Sequence, residues 1–384
     1  MIHTTMPTRI EISQRAFEHN VATYKKLIGP SVNLAVVVKS NAYGHGLTEI
    51  GKLCQQSAHV QWLCTSSLSE ALTLRAQGIT KPILVMSLID ADPAQAIMHD
   101  IDLMVYTKTM LTTLNNIGAL LKRPAHAHIK IDTGMSRFGV RNQEILDLIT
   151  YALQLPYITV RGLYTHLSES DNEDETFTRE QLAQFDHIVH MLKTHTISIP
   201  IIHASNSTGT ANLMHSHFNL VRIGAGAYGL WASPTSKAKI QATIPHFDLQ
   251  PVMTWKTTIM DTRTLPAHAY VGYRRTHQTT QPTRMGIIPI GYYEGYDRRL
   301  SNKGITVIAE NDQEISYAPI MGRICMNISM IDITNSTADI GSTVILLGDY
   351  DQVRAGEIAD RIESFNPREI TTRLNPLIPR IIVP

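Results

Sequence analysis

Short apolar runs separated by amphipathic stretches recur along the first part of the chain. Positions 33–38 are apolar after the opening Asn33, end in three β-branched valines and are bounded by turn formers. That pattern predicts a strand buried on both faces, as in a parallel sheet. Ahead of it, Ser13 precedes Phe17, Val21, Tyr24 and Ile28 at the spacing of one helix face, and Gly29-Pro30 follows; the pattern predicts a capped helix that stops there. Comparable runs at 62–65, 83–86, 103–106, 126–131, 158–165, 201–203 and 220–223 bring the predicted strands to eight, with helical patterns such as 69–77 and 176–193 between them. Eight strands alternating with helices predict an α/β fold, a closed (β/α)8 barrel, with an open doubly wound sheet as the alternative.

The pattern changes across 231–250, where a Ser/Pro/Lys-rich connection gives way to runs rich in Thr, Ile, Val and Tyr. Strands are predicted at 252–261, 284–290, 304–309, 315–319, 328–333 and 343–347, with a brief return of helix at 355–362. The chain therefore divides into a barrel over residues 1–235 and a mostly β domain over 236–384. No internal repeat or low-complexity tract interrupts either part.

Composition narrows the classes of function. The 384 residues are 43% hydrophobic and 17% charged with a formal net charge of +1, which offers no electrostatic footprint for nucleic acid or an anionic membrane. No run approaches the length of a membrane span and the first twenty residues show no signal-peptide pattern, so a cytoplasmic protein is expected. Cys54, Cys64 and Cys325 are too few and too scattered for a disulfide framework or a zinc site. The close pairs His126/His128 and His215/His217 lack a His-Glu-x-x-His arrangement, and no metal is expected.

Candidate chemistry gathers just after the predicted strands. Lys39 follows the first, Asp132 to Arg137 another, His166 closes Leu163-Tyr164-Thr165, Ser205-Asn206-Ser207 follows Ile201-Ile202-His203, and Arg222-Ile223-Gly224-Ala225-Gly226 ends the eighth. A barrel places all of these at one mouth. There a lysine offers an amine for a carbonyl compound, and a glycine-rich segment with hydroxyls offers donors to a phosphate. Pyridoxal 5'-phosphate needs both. Ser207, with the backbone of Gly224 and Ala225, is placed to hold the phosphate; Tyr43 adds a hydroxyl, and Arg137 and Arg222 supply fixed positive charge near a ring or a carboxylate.

These residues carry a resemblance. Val37-Val38-Lys39-Ser40-Asn41-Ala42-Tyr43-Gly44-His45-Gly46 resembles the cofactor-attachment segment of the alanine racemase family. Segments 130–137, 164–166, 205–207, 222–224, 291–292 and 322–326 match further family segments in order. The resemblance implies a pyridoxal-phosphate enzyme of fold type III that interconverts L- and D-alanine, supplying D-alanine for cell-wall precursors, and acts as a homodimer with sites shared between one barrel and the other subunit's β domain. By the same resemblance Lys39 carries the cofactor, and Tyr273 reaches it from the neighbouring subunit as the second base. His166 supports Tyr273 or the ring, Arg222 faces the pyridine nitrogen, Arg137 contacts the phenolic oxygen and the substrate, Met326 offers its backbone to the substrate carboxylate, and Lys130 is a candidate for carbamylation.

Two positions depart from the family pattern. Pro376 stands where a tyrosine that donates to the phosphate and walls the pocket is usual, and Asn327 where an aspartate is common, which removes a negative charge beside the substrate entry; together they predict relaxed specificity, with a somewhat roomier pocket that accepts serine or another small amino acid. Two rival readings use the same cofactor. A non-catalytic pyridoxal-phosphate homeostasis protein typically lacks a β domain, and a fold-type III decarboxylase uses a cysteine-based acid, for which Cys325 is the available residue.

Overall fold

A computed structural model describes residues 8–141, 144–311 and 314–384. After β1 (Arg9–Ser13), the strands β2 (Asn33–Val37), β3 (Trp62–Ser67), β4 (Ile83–Leu88), β5 (Asp102–Val105), β6 (Ala125–Lys130), β7 (Ile158–Tyr164), β8 (Ile201–His203) and β9 (Leu220–Ile223) form one parallel eight-stranded sheet in the order β8-β7-β6-β5-β4-β3-β2-β9. The seam between the two ends is drawn together by Asn219 N–H to Ile202 O at 3.3 Å and Arg222 N–H to Ser205 O at 3.1 Å. The predicted barrel is thus observed, and the open-sheet alternative falls. Ser13 Oγ accepts from Ala16 N–H and caps the helix Gln14–Ile28, whose face of Phe17, Val21, Tyr24 and Ile28 is buried as the spacing predicts.

The second part contains β10 (Met253–Thr258), β11 (Asp261–Leu265), β12 (Tyr270–Val271), β13 (His277–Gln278), β14 (Thr283–Ile288), β15 (Ile305–Asn311), β16 (Glu314–Pro319), β17 (Ser329–Asp332), β18 (Thr343–Leu347) and β19 (Arg380–Val383). They build a six-stranded sheet, β16-β15-β18-β10-β1-β19, a three-stranded sheet, β11-β14-β17, and the small ladder β12-β13. The single strand expected over 252–261 is in fact two. Ile259 N–H bonds to Ser342 O and Met260 N–H to Ile287 O, so the chain leaves one sheet and enters the next at this step.

Both ends of the described chain lie in the larger sheet. β1 pairs antiparallel with β10 and parallel with β19, and its alternation buries Ile10 and Ile12 completely while Glu11 meets Lys256 at 2.6 Å. One apolar cluster runs without a break from β1 and the first helix through the barrel to Trp255 and Leu347. Helix in the second part also exceeds the expectation: Pro367–Thr372 joins Ala355–Arg361. Among the described residues, no helix is long and apolar enough to cross a membrane.

Candidate active site

The site is built outward from the end of β2. Tyr228 O–H donates to Val37 O at 2.8 Å and pins the strand end. The chain then makes a left-handed turn: Ser40, Asn41, Ala42 and Tyr43 have φ of 56°, 54°, 52° and 55°. Non-glycine residues pay for that conformation, roughly 1–2 kcal/mol each, so surrounding contacts must hold it. Those contacts are present. Asn41 Oδ1 accepts from Leu47 N–H at 2.8 Å, His45 stacks on Tyr228 at 4.5 Å, and Arg380 binds Gly44 O through Nε and Nη2 at 3.2 and 3.1 Å. Gly44 has no alternative residue, because a Cβ there would lie 1.9 Å from Thr371 O.

This turn delivers Lys39 to a cavity of about 430 Å³ at the carboxyl ends of the strands. Tyr43, His166, Asn206, Ser207, Arg222, Gly224 and Ala225 line the same cavity. The structure therefore brings together all eight barrel residues singled out for the cofactor. Burial and the nearby Arg137 guanidinium lower the Lys39 pKa from its usual value, which favours the free amine that carbonyl chemistry needs.

One end of the cavity is shaped for an anion. Ser207 Oγ accepts from Gly224 N–H at 2.9 Å and Gly226 N–H at 3.2 Å. Asn206 works as a cap: its Oδ1 accepts from Gly209 N–H at 2.9 Å and from Ser170 Oγ at 2.8 Å. The Tyr43 hydroxyl lies directly over Gly224, where a Cβ would meet it at 2.6 Å. Burial pushes the Tyr43 pKa up to about 12, keeping the hydroxyl a donor.

Arg222 lines the same cavity, buried, with donors to Thr165 O and Ala204 O at 2.9 Å each and to His203 Nδ1 at 2.7 Å. Behind it a polar chain crosses the barrel: His203 Nε2 is 3.0 Å from His128 Nδ1, His128 Nε2 is 3.0 Å from Asp102 Oδ2, and Arg161 Nη1 donates to Asp102 Oδ1 at 2.9 Å. Its proton positions follow from its ends. Arginine only donates and a carboxylate only accepts, so each imidazole accepts at Nδ1 and donates at Nε2. Burial and the Arg222 charge hold the His203 pKa well below its ordinary value, so a neutral ring faces the guanidinium.

His166 Nδ1 lies 3.3 Å from Arg222 Nη2, and burial with the charges of Lys130 and Arg222 keeps it neutral. Lys130 sits 4.5 Å above the Tyr164 ring with its pKa held well below the ordinary value by burial, Arg222 and Arg137. Asp132 is not free to neutralise it, since Arg141 Nε holds its Oδ2 at 2.7 Å. Arg137 is exposed on the same loop.

Tyr273 and Met326 lie elsewhere. They are 67% and 56% exposed and line no part of the cavity. Gly322 brings their two segments together, because a Cβ there would lie 2.6 Å from Val271 O, and Tyr293 N–H bonds to Met326 O at 2.9 Å. Tyr273, Tyr292, Tyr293 and Met326 thus belong to neighbouring exposed segments of the β domain. Asn327 donates to Glu294 Oε1 at 2.8 Å.

Reasoning from sequence missed three groups: Tyr228, the Asp102–His128–His203 chain and Arg368, which also lines the cavity. For the second a signal existed. The two-residue spacing of His126 and His128 on one strand puts both on one face, and Gly162 leaves the room that His128 fills, since a Cβ there would lie 2.1 Å from its Nδ1. Among the described residues no group of His, Cys, Asp and Glu could hold a metal.

Comparison with known proteins agrees with this arrangement. The profile "Alanine racemase, N-terminal domain" matches residues 12–232, and "Alanine racemase, C-terminal domain" matches 252–382. The chain belongs to the alanine racemase family. An alanine racemase of Leptospira interrogans is 33% identical over 99% of the chain and 96% of its own length. The structure of an alanine racemase from Clostridium difficile 630 superposes with a TM-score of 0.90 at 28% identity, covering 99% of this chain and 96% of that one. A histidine racemase from Leuconostoc mesenteroides shares the architecture at 25% identity and TM-score 0.87, covering 99% of both chains. Family membership makes this chain an isomerase that interconverts the enantiomers of alanine. The cavity-lining lysine amine with its lowered pKa, the glycine-floored end under Tyr43 and the fixed Arg222 guanidinium fit the pyridoxal 5'-phosphate that the family uses.

Proposed function

We propose that Lys39 anchors pyridoxal 5'-phosphate in the barrel cavity and that racemisation proceeds between two bases, Lys39 and the Tyr273 of a second copy of the chain. The observation that carries this reading is the split of the site: eight barrel residues converge on one cavity while Tyr273 and Met326 face outward on the β domain. The cofactor supplies an electron sink for charge left at Cα. Lys39 Nζ holds or returns the Cα proton on one face, and the Tyr273 hydroxyl does so on the other. Arg222 is the residue for the pyridine nitrogen, His166 supports the tyrosine or the ring, Arg137 contacts the phenolic oxygen and substrate, and the Met326 backbone meets the substrate carboxylate. Carbamylation of Lys130 would replace a repelling charge beside Arg137 with a partner.

On this reading residues 1–235 hold the cofactor and 236–384 complete the neighbouring subunit's site, with β1 grafted onto the second unit. The product is D-alanine for cell-wall precursors. With no tyrosine at 376 the pocket also admits serine. A turnover ratio of serine to alanine above that of a relative bearing the tyrosine is expected; an equal ratio contradicts it.

The test of the central chemistry is direct. Purified enzyme shows a visible absorbance band from lysine-bound cofactor that Lys39→Ala abolishes, and in deuterated water L-alanine acquires Cα deuterium and yields D-alanine. A colourless protein rejects the cofactor reading, and coloured protein without exchange rejects racemisation.

A further inference from the structure

The cavity holds one cation that neither the chain's fold nor its expected chemistry uses. Arg368 lies on the helix Pro367–Thr372 and lines the cavity that Tyr43, Ser207 and Gly224 also line. Asn366 Oδ1 accepts from both the backbone N–H and the Nε of Arg368, at 3.2 and 2.8 Å. That fixes the guanidinium by one edge and leaves both Nη groups free; among the described residues Arg368 makes no ion pair. The helix itself is seated, because Thr371 O is the atom that Gly44 makes room for at the far side of the lysine turn.

An unpaired guanidinium in a confined site calls for an anion. The other cations on the cavity wall are committed: Arg222 donates to His203, Thr165 O and Ala204 O, and Lys39 is the attachment amine. Asp171 is the acidic residue on the wall. The helix of Arg368 packs against the Lys39–Tyr43 turn, whose Tyr43 hydroxyl covers Gly224 at the anion end, and the Arg368 charge acts on both Tyr43 and Lys39. Pro376, where the family pattern has a phosphate-binding tyrosine, is exposed and carries no donor.

We propose that Arg368 is a phosphate ligand of the cofactor in this chain, taking over through its paired Nη groups the contact that Pro376 cannot make. The inference rests on the cofactor reading above and adds a residue to it. A dianionic phosphate ester matches a planar fork of two N–H donors better than it matches a single phenol, so the exchange also adds charge to the anion end.

The test uses apoenzyme titrated with pyridoxal 5'-phosphate and, separately, with pyridoxal, following quenching of tryptophan fluorescence. Arg368→Ala should weaken the phosphorylated cofactor about 10- to 100-fold, the scale for one charge-assisted contact, while pyridoxal binds as before. Arg368→Lys, which keeps the charge and loses the fork, should fall between. Inorganic phosphate should compete with the cofactor in the wild type and lose that effect in Arg368→Ala. Equal affinity of the variant and wild type for the phosphorylated cofactor overturns the assignment. So does parallel weakening of both ligands, or a raised KM for alanine at unchanged cofactor affinity, which would give Arg368 to the substrate carboxylate. Should Arg368→Ala fail to fold, Arg368→Lys and Arg368→Gln carry the same comparison. Wild-type protein that binds neither ligand would instead sink the cofactor reading itself.

Discussion

At the scale of single residues, the site depends on atoms that are missing as much as on those present. Gly224 is a glycine because the Tyr43 hydroxyl occupies the space of its Cβ, 2.6 Å away. Gly224→Ala should therefore displace Tyr43 and weaken cofactor binding roughly tenfold, about one hydrogen bond's worth. In a Tyr43→Phe background, where the next ring atom stands at 3.3 Å, the same substitution should cost markedly less, and additive losses in the double variant would contradict the contact. The glycine and tyrosine were each legible in the sequence as candidates, but their collision was not, because it joins positions 43 and 224 across the β2–β9 pairing. Arg368 was illegible for a similar reason. Nothing about Asn-Pro-Arg on a short helix points to a cavity until that helix is seen against Gly44.

At the scale of elements, the strained turn after β2 is held by the His45–Tyr228–Tyr43 aromatic packing, and this gives it a pH limit. Burial lowers the His45 pKa from 6.5 to about 4. The unfolded chain takes up a proton near the ordinary value while the folded one does not, so the contribution is complete above pH 6.5 and is lost as pH falls toward 4. It is worth about 3 kcal/mol across that window. His166 and His203, also lowered, act in the same direction. Unfolding free energy measured by denaturant should fall from pH 7 to pH 4.5, and His45→Phe, which keeps a ring against Tyr228 without titrating, should flatten the decline; an unchanged slope would show that His45 is not its source. The strands and helices of the barrel were readable from periodicity since each is local. β1 and β19 were not, because strands of five and four residues gain their meaning only from pairing with each other across the length of the chain.

At the scale of the whole molecule, the cavity and the exposed tyrosine proposed as the second base lie apart within one chain. Lys39 stands in the cavity and Tyr273 stands in solvent, on a surface shared with Tyr292, Tyr293 and Met326. The barrel and β domain are tied by a common core and by β1, which argues against a hinge that could swing the phenol into its own chain's cavity. The sharing between two copies proposed above would resolve this, because a C2 dimer would pair each cavity with the other copy's surface. Lys39→Ala and Tyr273→Phe, each expected to be nearly inactive alone, are the two variants that separate the halves. Unfolded together and refolded as a mixture, they should recover up to about a quarter of wild-type racemase activity, since half of randomly paired dimers carry one intact site of two. Recovery absent from mixtures that demonstrably contain the mixed dimer would contradict the account.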